Sequence, residues 1–230
     1  MRLVLFDIDG TLLLTKGAGR RAIHRALREV FGSVGPADYH FGGKTDPQIV
    51  RELMRLEGHE DECIDREMQG LLARYLGYLR EELATPGPAA YALPGVLPLL
   101  DALESLPNAI LGLLTGNLRE GAHAKLEAVG IDPKRFRVGA FGSDHEHRPE
   151  LPAIARERTR QQLGIELAGD AIVVIGDTPA DLTCGRLLGA AAIGVATGGY
   201  SVEELQRYEP LAVFRDLTDT DAVVRAILGA

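Results

Sequence analysis

The feature that most constrains this chain is a repeated unit: a short apolar run, an abrupt polar stop, then a helical segment. Leu3 to Phe6 runs into Asp7-Ile8-Asp9-Gly10-Thr11. Ala109 to Leu114 runs into Thr115-Gly116-Asn117, and Ala171 to Ile175 into Gly176-Asp177-Thr178-Pro179-Ala180-Asp181. Phe136–Phe141, Ala191–Ala196 and Ala212–Phe214 are further short apolar runs. Runs this short, bounded by turn residues, read as buried strands. Leu97–Leu106, Leu118–Val129, Pro149–Leu163, Pro179–Leu188, Ser201–Tyr208 and Thr220–Leu228 carry helical patterning between and after them, several closed by Gly. Strands alternating with helices demand a parallel sheet covered on both faces, an α/β, Rossmann-like core.

One segment breaks the alternation. From Gly17 to Thr85 every apolar stripe has helical spacing: Gly17–Phe31, then a helix from Asp46-Pro47 to about Gly58, then Glu62–Ala84. Asp46 reads as the N-cap and Pro47 as the first helical residue. The parse is a core of residues 1–15 and 92–230 with an all-helical cap, 16–91, inserted after the first strand. The joints fall near Leu14–Lys16 and Pro86–Pro94.

Composition removes several alternatives. The 230 residues suffice for a core without staples, and the two cysteines, Cys63 and Cys184, make neither a disulfide framework nor a zinc signature. This fits a reducing, cytoplasmic setting. A net charge of −8 argues against nucleic acid or an anionic membrane as partner. No apolar stretch approaches the roughly 20 residues of a membrane span. Asp7 breaks the first apolar run too soon for a signal peptide. The sequence is silent on oligomeric state.

In a parallel sheet the three polar stops share one edge, where open α/β sheets hold their ligands. Asp7, Asp9 and Asp177 approach one another there, with Asp181 a candidate to join them, and such acids repel unless a cation sits among them. Oxygen-only donors favour a hard ion, Mg²⁺ first. Each residue also has a plainer reading: Asp181 as a helix-start acid, Asn117 with Glu120 as a capping pair, Thr115 as a strand end. Unrelated caps need not all gather beside an acid pair.

Asp7-x-Asp9-Gly10-Thr11-Leu12, the hydroxyl of Thr115, a basic residue before Pro149 and Gly176-Asp177-x-x-x-Asp181 together resemble the haloacid dehalogenase-like hydrolase superfamily. The helical insertion resembles its phosphoglycolate phosphatase-like subgroup. The resemblance implies a Mg²⁺-dependent phosphatase for a small-molecule phosphomonoester, with 2-phosphoglycolate a candidate. Asp7 would be the nucleophile that becomes an aspartyl-phosphate, and Asp9 the proton donor and then base. Asp7, the Asp9 carbonyl and Asp177 would hold the metal, with Asp181 orienting that shell. Thr115, Arg148 and groups around Gly10, Thr11, Gly116 and Asn117 would hold the phosphoryl oxygens. Arg148 stands where the superfamily usually has Lys, with Arg156 and Lys125 as weaker candidates. Dehalogenase members lack an acid at the position of Asp9. Two other readings remain: a β-phosphoglucomutase-like phosphotransferase, and a non-catalytic phospho-accepting regulatory domain.

Weaker motifs resolve more plainly. Gly17-x-Gly19-x-x-Ala22 does not directly follow a strand, so it reads as a helix start and hinge rather than a dinucleotide fingerprint. Gly42-Gly43-Lys44-Thr45 lacks the remainder of a P-loop; it reads as a cap loop, with Lys44 a candidate for the substrate's distal anion. His145-Glu146-His147 has no third zinc ligand in register.

Overall fold

The structure is a computed structural model and describes residues 1–85 and 90–229. Six strands form one sheet: β1 (Arg2–Phe6), β4 (Ala109–Thr115), β5 (Val138–Phe141), β6 (Ile172–Gly176), β7 (Ala191–Val195) and β8 (Ala212–Phe214). Their order is β5-β4-β1-β6-β7-β8, and every neighbouring pair is parallel. β1 is central. Phe6 lies opposite Leu113 of β4 and Ile175 of β6, so the residues that follow all three emerge together.

Alternation along β1 divides its side chains between two faces. Val4 and Phe6 enter one cluster with Leu99, Leu100 and Leu103 of α4 (Val96–Glu104), Ala122 and Leu126 of α5 (Arg119–Ala128), and Ile227 of α9 (Thr220–Leu228). Leu3 and Leu5 enter another with Leu151 and Ala155 of α6 (Leu151–Leu163) and Cys184 of α7 (Pro179–Cys184). All four β1 side chains are fully buried. A strand covered on both faces has a fixed direction, and the groups at its end inherit that rigidity.

The inserted segment is all-helical: α1 (Ala18–Phe31), α2 (Asp46–Leu56) and α3 (Asp61–Ala84). It has its own apolar core, built on Ile23, Leu27, Leu53, Ile64, Leu71 and Tyr75. A two-residue antiparallel ladder joins it to the sheet domain: β2 (Leu13–Leu14) pairs with β3 (Tyr91–Ala92). This ladder is too short to carry a periodicity and was not expected. Of the expected joint at Pro86–Pro94, residues 86–89 lie outside the described residues.

Several boundaries move for identifiable reasons. Thr45, not Asp46, caps α2: its side chain accepts from the Gln48 amide, and Gln48 reaches back to Thr45. Asp46 is the first helical residue and buried. Pro133–Arg135 forms a 3₁₀ turn, so β5 begins at Val138 rather than Phe136. Another 3₁₀ turn, Arg148–Glu150, precedes α6. Leu118, not Asn117, precedes α5, and Asn117 makes no cap. Among the described residues no helix is long and apolar enough to cross a membrane.

Candidate active site

β1 carries Asp7 out of the sheet beside β6, to whose Ile175 carbonyl the Asp7 amide donates at 2.9 Å. The chain then turns sharply, with the amides of Leu12 and Leu13 both donating to the Ile8 carbonyl. This turn places Asp9 beside the end of β4. Asp9 Oδ2 accepts from Asn117 Nδ2 at 2.8 Å and from Lys125 Nζ at 2.6 Å. Lys125 also donates to Asn117 Oδ1 at 2.6 Å, and Asn117 Nδ2 to Thr115 Oγ1 at 2.7 Å. Asn117 therefore ties Thr115 to Asp9, which replaces its plainer reading as a cap.

Arg148 is buried at the opposite side of Asp7. Its Nη2 donates to Asp7 Oδ1 at 3.0 Å, to the Leu114 carbonyl at 3.3 Å and to Asp181 Oδ1. Its Nε is buried and has no hydrogen-bond partner. Arg156, the alternative, is exposed on α6. Asp181 is spoken for on both oxygens, since Oδ2 accepts from the Thr178 amide at 3.0 Å and the Thr178 hydroxyl at 2.6 Å. The capping box of α7 and the anchoring of Arg148 are thus one arrangement.

Asp7, Asp177 and Asp181 each offer an oxygen within 4.8 Å of the others. Burial pushes the Asp7 carboxyl up to about 6, with Asp181 and Asp9 adding to the rise and Arg148 opposing it. Asp177 is held well above the usual carboxylate range by burial and by the charges of Asp181 and Asp7. Buried acids so destabilised as anions are a receptor for positive charge. With Asp181 committed to Arg148 and Thr178, Asp7 and Asp177 are the carboxylates available to a divalent metal. The donors are oxygen alone, which suits a hard cation. His145 and His147 take no part, and Glu146 instead pairs with Arg51 of α2 at 2.7 Å.

Two expected phosphoryl contacts, at Gly10 and Thr11, are corrected, and Lys44, expected at the substrate's distal anion, meets partners within the cap. The Gly10 amide donates to the Leu13 carbonyl at 2.9 Å, and the Thr11 amide to Ile8 at 3.3 Å, so neither is free for an anion. Thr11 is fully buried, and its hydroxyl donates to Asp177 Oδ1 at 3.2 Å. Gly10 serves by its lack of a side chain: at φ +91° a Cβ would lie 2.4 Å from Asp177 Oδ2. Lys44 lines the cleft, but its ammonium is 2.5 Å from Glu52 and 2.8 Å from the Tyr39 hydroxyl.

Between the sheet edge and the cap lies a cavity of about 320 Å³. Asp7, Asp9, Thr115, Gly116, Asn117, Arg148 and Asp177 line its floor. The wall opposite includes Asp46 and Tyr75 of the cap. The cap meets the core closely here. The Asp46 amide donates to the Gly116 carbonyl at 2.8 Å, and the Leu118 amide returns a bond to Asp46 Oδ2 at 2.8 Å. A Cβ on Gly116 would lie 2.0 Å from the Lys44 carbonyl, so Gly116 is where the cap backbone docks. Burial pushes Asp46 up to about 6 against the opposing charge of Lys125.

Sequence reasoning undervalued Lys125 and misassigned Asp46. Both had a usable signal. Lys125 shares the buried stripe Gly121-Ala122-Lys125-Leu126 of α5, where a charge needs a partner. Thr45-x-x-Gln48 is a capping box, which puts Asp46 inside the helix.

Known proteins resemble this chain. The chain is 28% identical to the protein named probable phosphatase IndB of Dickeya dadantii, over 98% of this chain and 94% of that one. A solved structure of a hydrolase from Pseudomonas syringae superposes with a TM-score of 0.73 at 24% identity, covering 97% and 98% of the two chains. A structure described as a predicted phosphoglycolate phosphatase from Haemophilus somnus gives 0.70 at 22% identity, with the same coverage. At these identities the two structures bear on the fold alone. Residues 4–186 match the family model of haloacid dehalogenase-like hydrolases, a span that takes in every strand end around the cavity, and the chain belongs to that family.

Proposed function

We propose that this hydrolase is a Mg²⁺-dependent phosphatase for a small phosphomonoester, with Asp7 as nucleophile; 2-phosphoglycolate is a substrate to test. The observation that carries the reading is the pairing of two carboxylates with opposite surroundings on one turn. Asp7 is buried against Arg148, whereas the Asp9 side chain is 40% exposed and held by Lys125 and Asn117. An attacking group fixed at a strand end and a proton carrier with access to water are the two parts that a double displacement needs. The named phosphatase among the relatives supports the same chemistry.

Asp7 attacks phosphorus in line with the leaving oxygen, and Asp9 delivers a proton to that oxygen. Asp9, now a base, then takes a proton from water, which attacks the aspartyl-phosphate and frees Asp7. Arg148 anchors the Asp7 carboxylate and brings its positive charge beside the attacking group. Thr115 supplies a hydroxyl. Among the described residues the amides of Ile8 and Asp9 make no hydrogen bond. Asp7, Asp177 and the Asp9 carbonyl would hold Mg²⁺, whose charge offsets the repulsion between carboxylate and phosphate.

Release of phosphate from p-nitrophenyl phosphate, with and without Mg²⁺, tests the reading. Asp7→Asn should abolish turnover while the circular dichroism spectrum is kept. Undiminished turnover in that variant would remove Asp7 from the mechanism.

A further inference from the structure

Five cationic and four acidic side chains line the cavity of a chain that carries −8 as a whole. Where one of those cations lacks a counter-charge, an acidic protein has a place to receive an anion. Three of the cations are already paired: Arg148 with Asp7 and Asp181, Lys125 with Asp9, and Lys44 with Glu52. Lys16 is exposed at the joint, 5.6 Å above the Tyr91 ring. Arg20 differs from all of these.

Arg20 projects from the first turn of α1 and forms no ion pair among the described residues. Its guanidinium lies 3.9 Å over the ring centroid of Phe41 and donates through Nη2 to the Tyr39 carbonyl at 2.9 Å. Phe41 is itself wedged edge-on between Tyr39 and His24, each at 5.8 Å. Burial and the charges of Arg20 and Arg28 hold His24 below the usual imidazole range, so it adds no competing charge at neutral pH. Stacking fixes the guanidinium plane, and one neutral acceptor leaves most of its five N–H groups free. A positioned, unneutralised guanidinium on a cavity wall is built to receive an anion.

We infer that Arg20 recognises a second anionic group on the substrate, so that the site selects short phosphomonoesters carrying a carboxylate or a second phosphate over those with neutral leaving groups. The inference rests on the phosphatase reading above. Asp46, the cap acid in the same lining, is set in charge against Lys125 rather than against Arg20.

The test compares kcat/KM for ethyl phosphate, 2-phosphoglycolate and propane-1,3-diyl bisphosphate with Mg²⁺ present. The first two differ by one carboxylate, and the third places a phosphate at the far end. Wild type should prefer at least one of the two esters with an anionic tail over ethyl phosphate by about 10- to 100-fold, the range of a charge-assisted hydrogen bond. Which of the two is preferred identifies the anion. Arg20→Met should collapse that ratio toward one, and Arg20→Lys should retain part of it. Loss of folded protein cancels in a ratio. No preference in wild type, a preference for ethyl phosphate, or an unchanged ratio in Arg20→Met overturns the inference while leaving the phosphatase reading intact. Failure to release phosphate from all three and from p-nitrophenyl phosphate overturns both.

Discussion

Gly10 offers a way to perturb metal binding without touching a ligand. At φ +91° an alanine pays the left-handed penalty, about 1–2 kcal/mol. Its Cβ would also stand 2.4 Å from Oδ2, 2.6 Å from Cγ and 2.8 Å from Oδ1 of Asp177. Contact between such atoms is comfortable at about 3.5–4.0 Å, so the carboxylate must retreat by about 1 Å. A displacement of about 1 Å in a reacting constellation costs on the order of 100-fold in rate. Gly58 separates the two effects, because at φ +85° a Cβ there meets nothing within 4 Å. Gly58→Ala should lower the melting temperature of the metal-free protein by roughly 2–8 °C, the strain alone in a chain of this size, and Gly10→Ala by at least as much. Only Gly10→Ala should also lose the Mg²⁺-dependent rise in melting temperature and most of its turnover. Titrating Mg²⁺ in a thermal-shift assay reads the first, and p-nitrophenyl phosphate the second. If Gly10→Ala binds Mg²⁺ and turns over like Gly58→Ala, the close approach of Gly10 to Asp177 has no part in the metal site.

Two further perturbations probe the cap wall and the surroundings of Asp9, the proposed proton carrier. Asp46 has its pKa raised from 3.8 to about 6 by burial, so the folded protein binds its proton more tightly than the unfolded chain does. Its contribution to stability is fully present below about pH 3.8 and is lost as pH rises through 6, a span worth about 3 kcal/mol. Asp46→Asn should therefore gain stability relative to wild type as pH goes from 4 to 7 in denaturant melts; a constant difference across that range would refute the assignment. Lys125→Met should lower kcat about 10- to 100-fold, because Asp9 and Asn117 lose the ammonium that holds them. Adding Asp46→Asn should restore some of the stability lost in Lys125→Met, since Lys125 opposes the burial of Asp46; strictly additive melting temperatures would show that the two do not interact.

The legible part of this molecule was the part governed by local pattern. Short apolar runs with polar stops fixed β1, β4 and β6 closely, because a strand buried on both faces leaves a continuous apolar signature. Parallel pairing then gathers the strand ends on one edge by topology alone, so Asp7, Thr115 and Asp177 could be grouped without coordinates. Less legible was how hydrogen bonds are divided within that group. Gly10 and Thr11 sit in the motif beside Asp7, but their amides are consumed by the turn that delivers Asp9. Proximity in sequence to Asp7 therefore says little about which donors remain free.

The same reasoning explains why the cap residues were the hardest to assign. Lys44 carries a charge in a glycine-rich loop and looks available from the sequence, yet Glu52 lies two turns along α2 and claims it. Arg20 looks like an ordinary exposed helix residue, yet the loop carrying Tyr39 and Phe41 folds back to hold it beside the cavity without a counter-charge. In both cases the deciding fact is where a neighbouring acid stands, a tertiary relation with no period in the sequence. The floor of the cavity is set by strand order and its cap wall by pairings across loops. If Arg20 acts as inferred, substitutions that preserve every strand end should change the substrate by altering which cap cation is left unpaired.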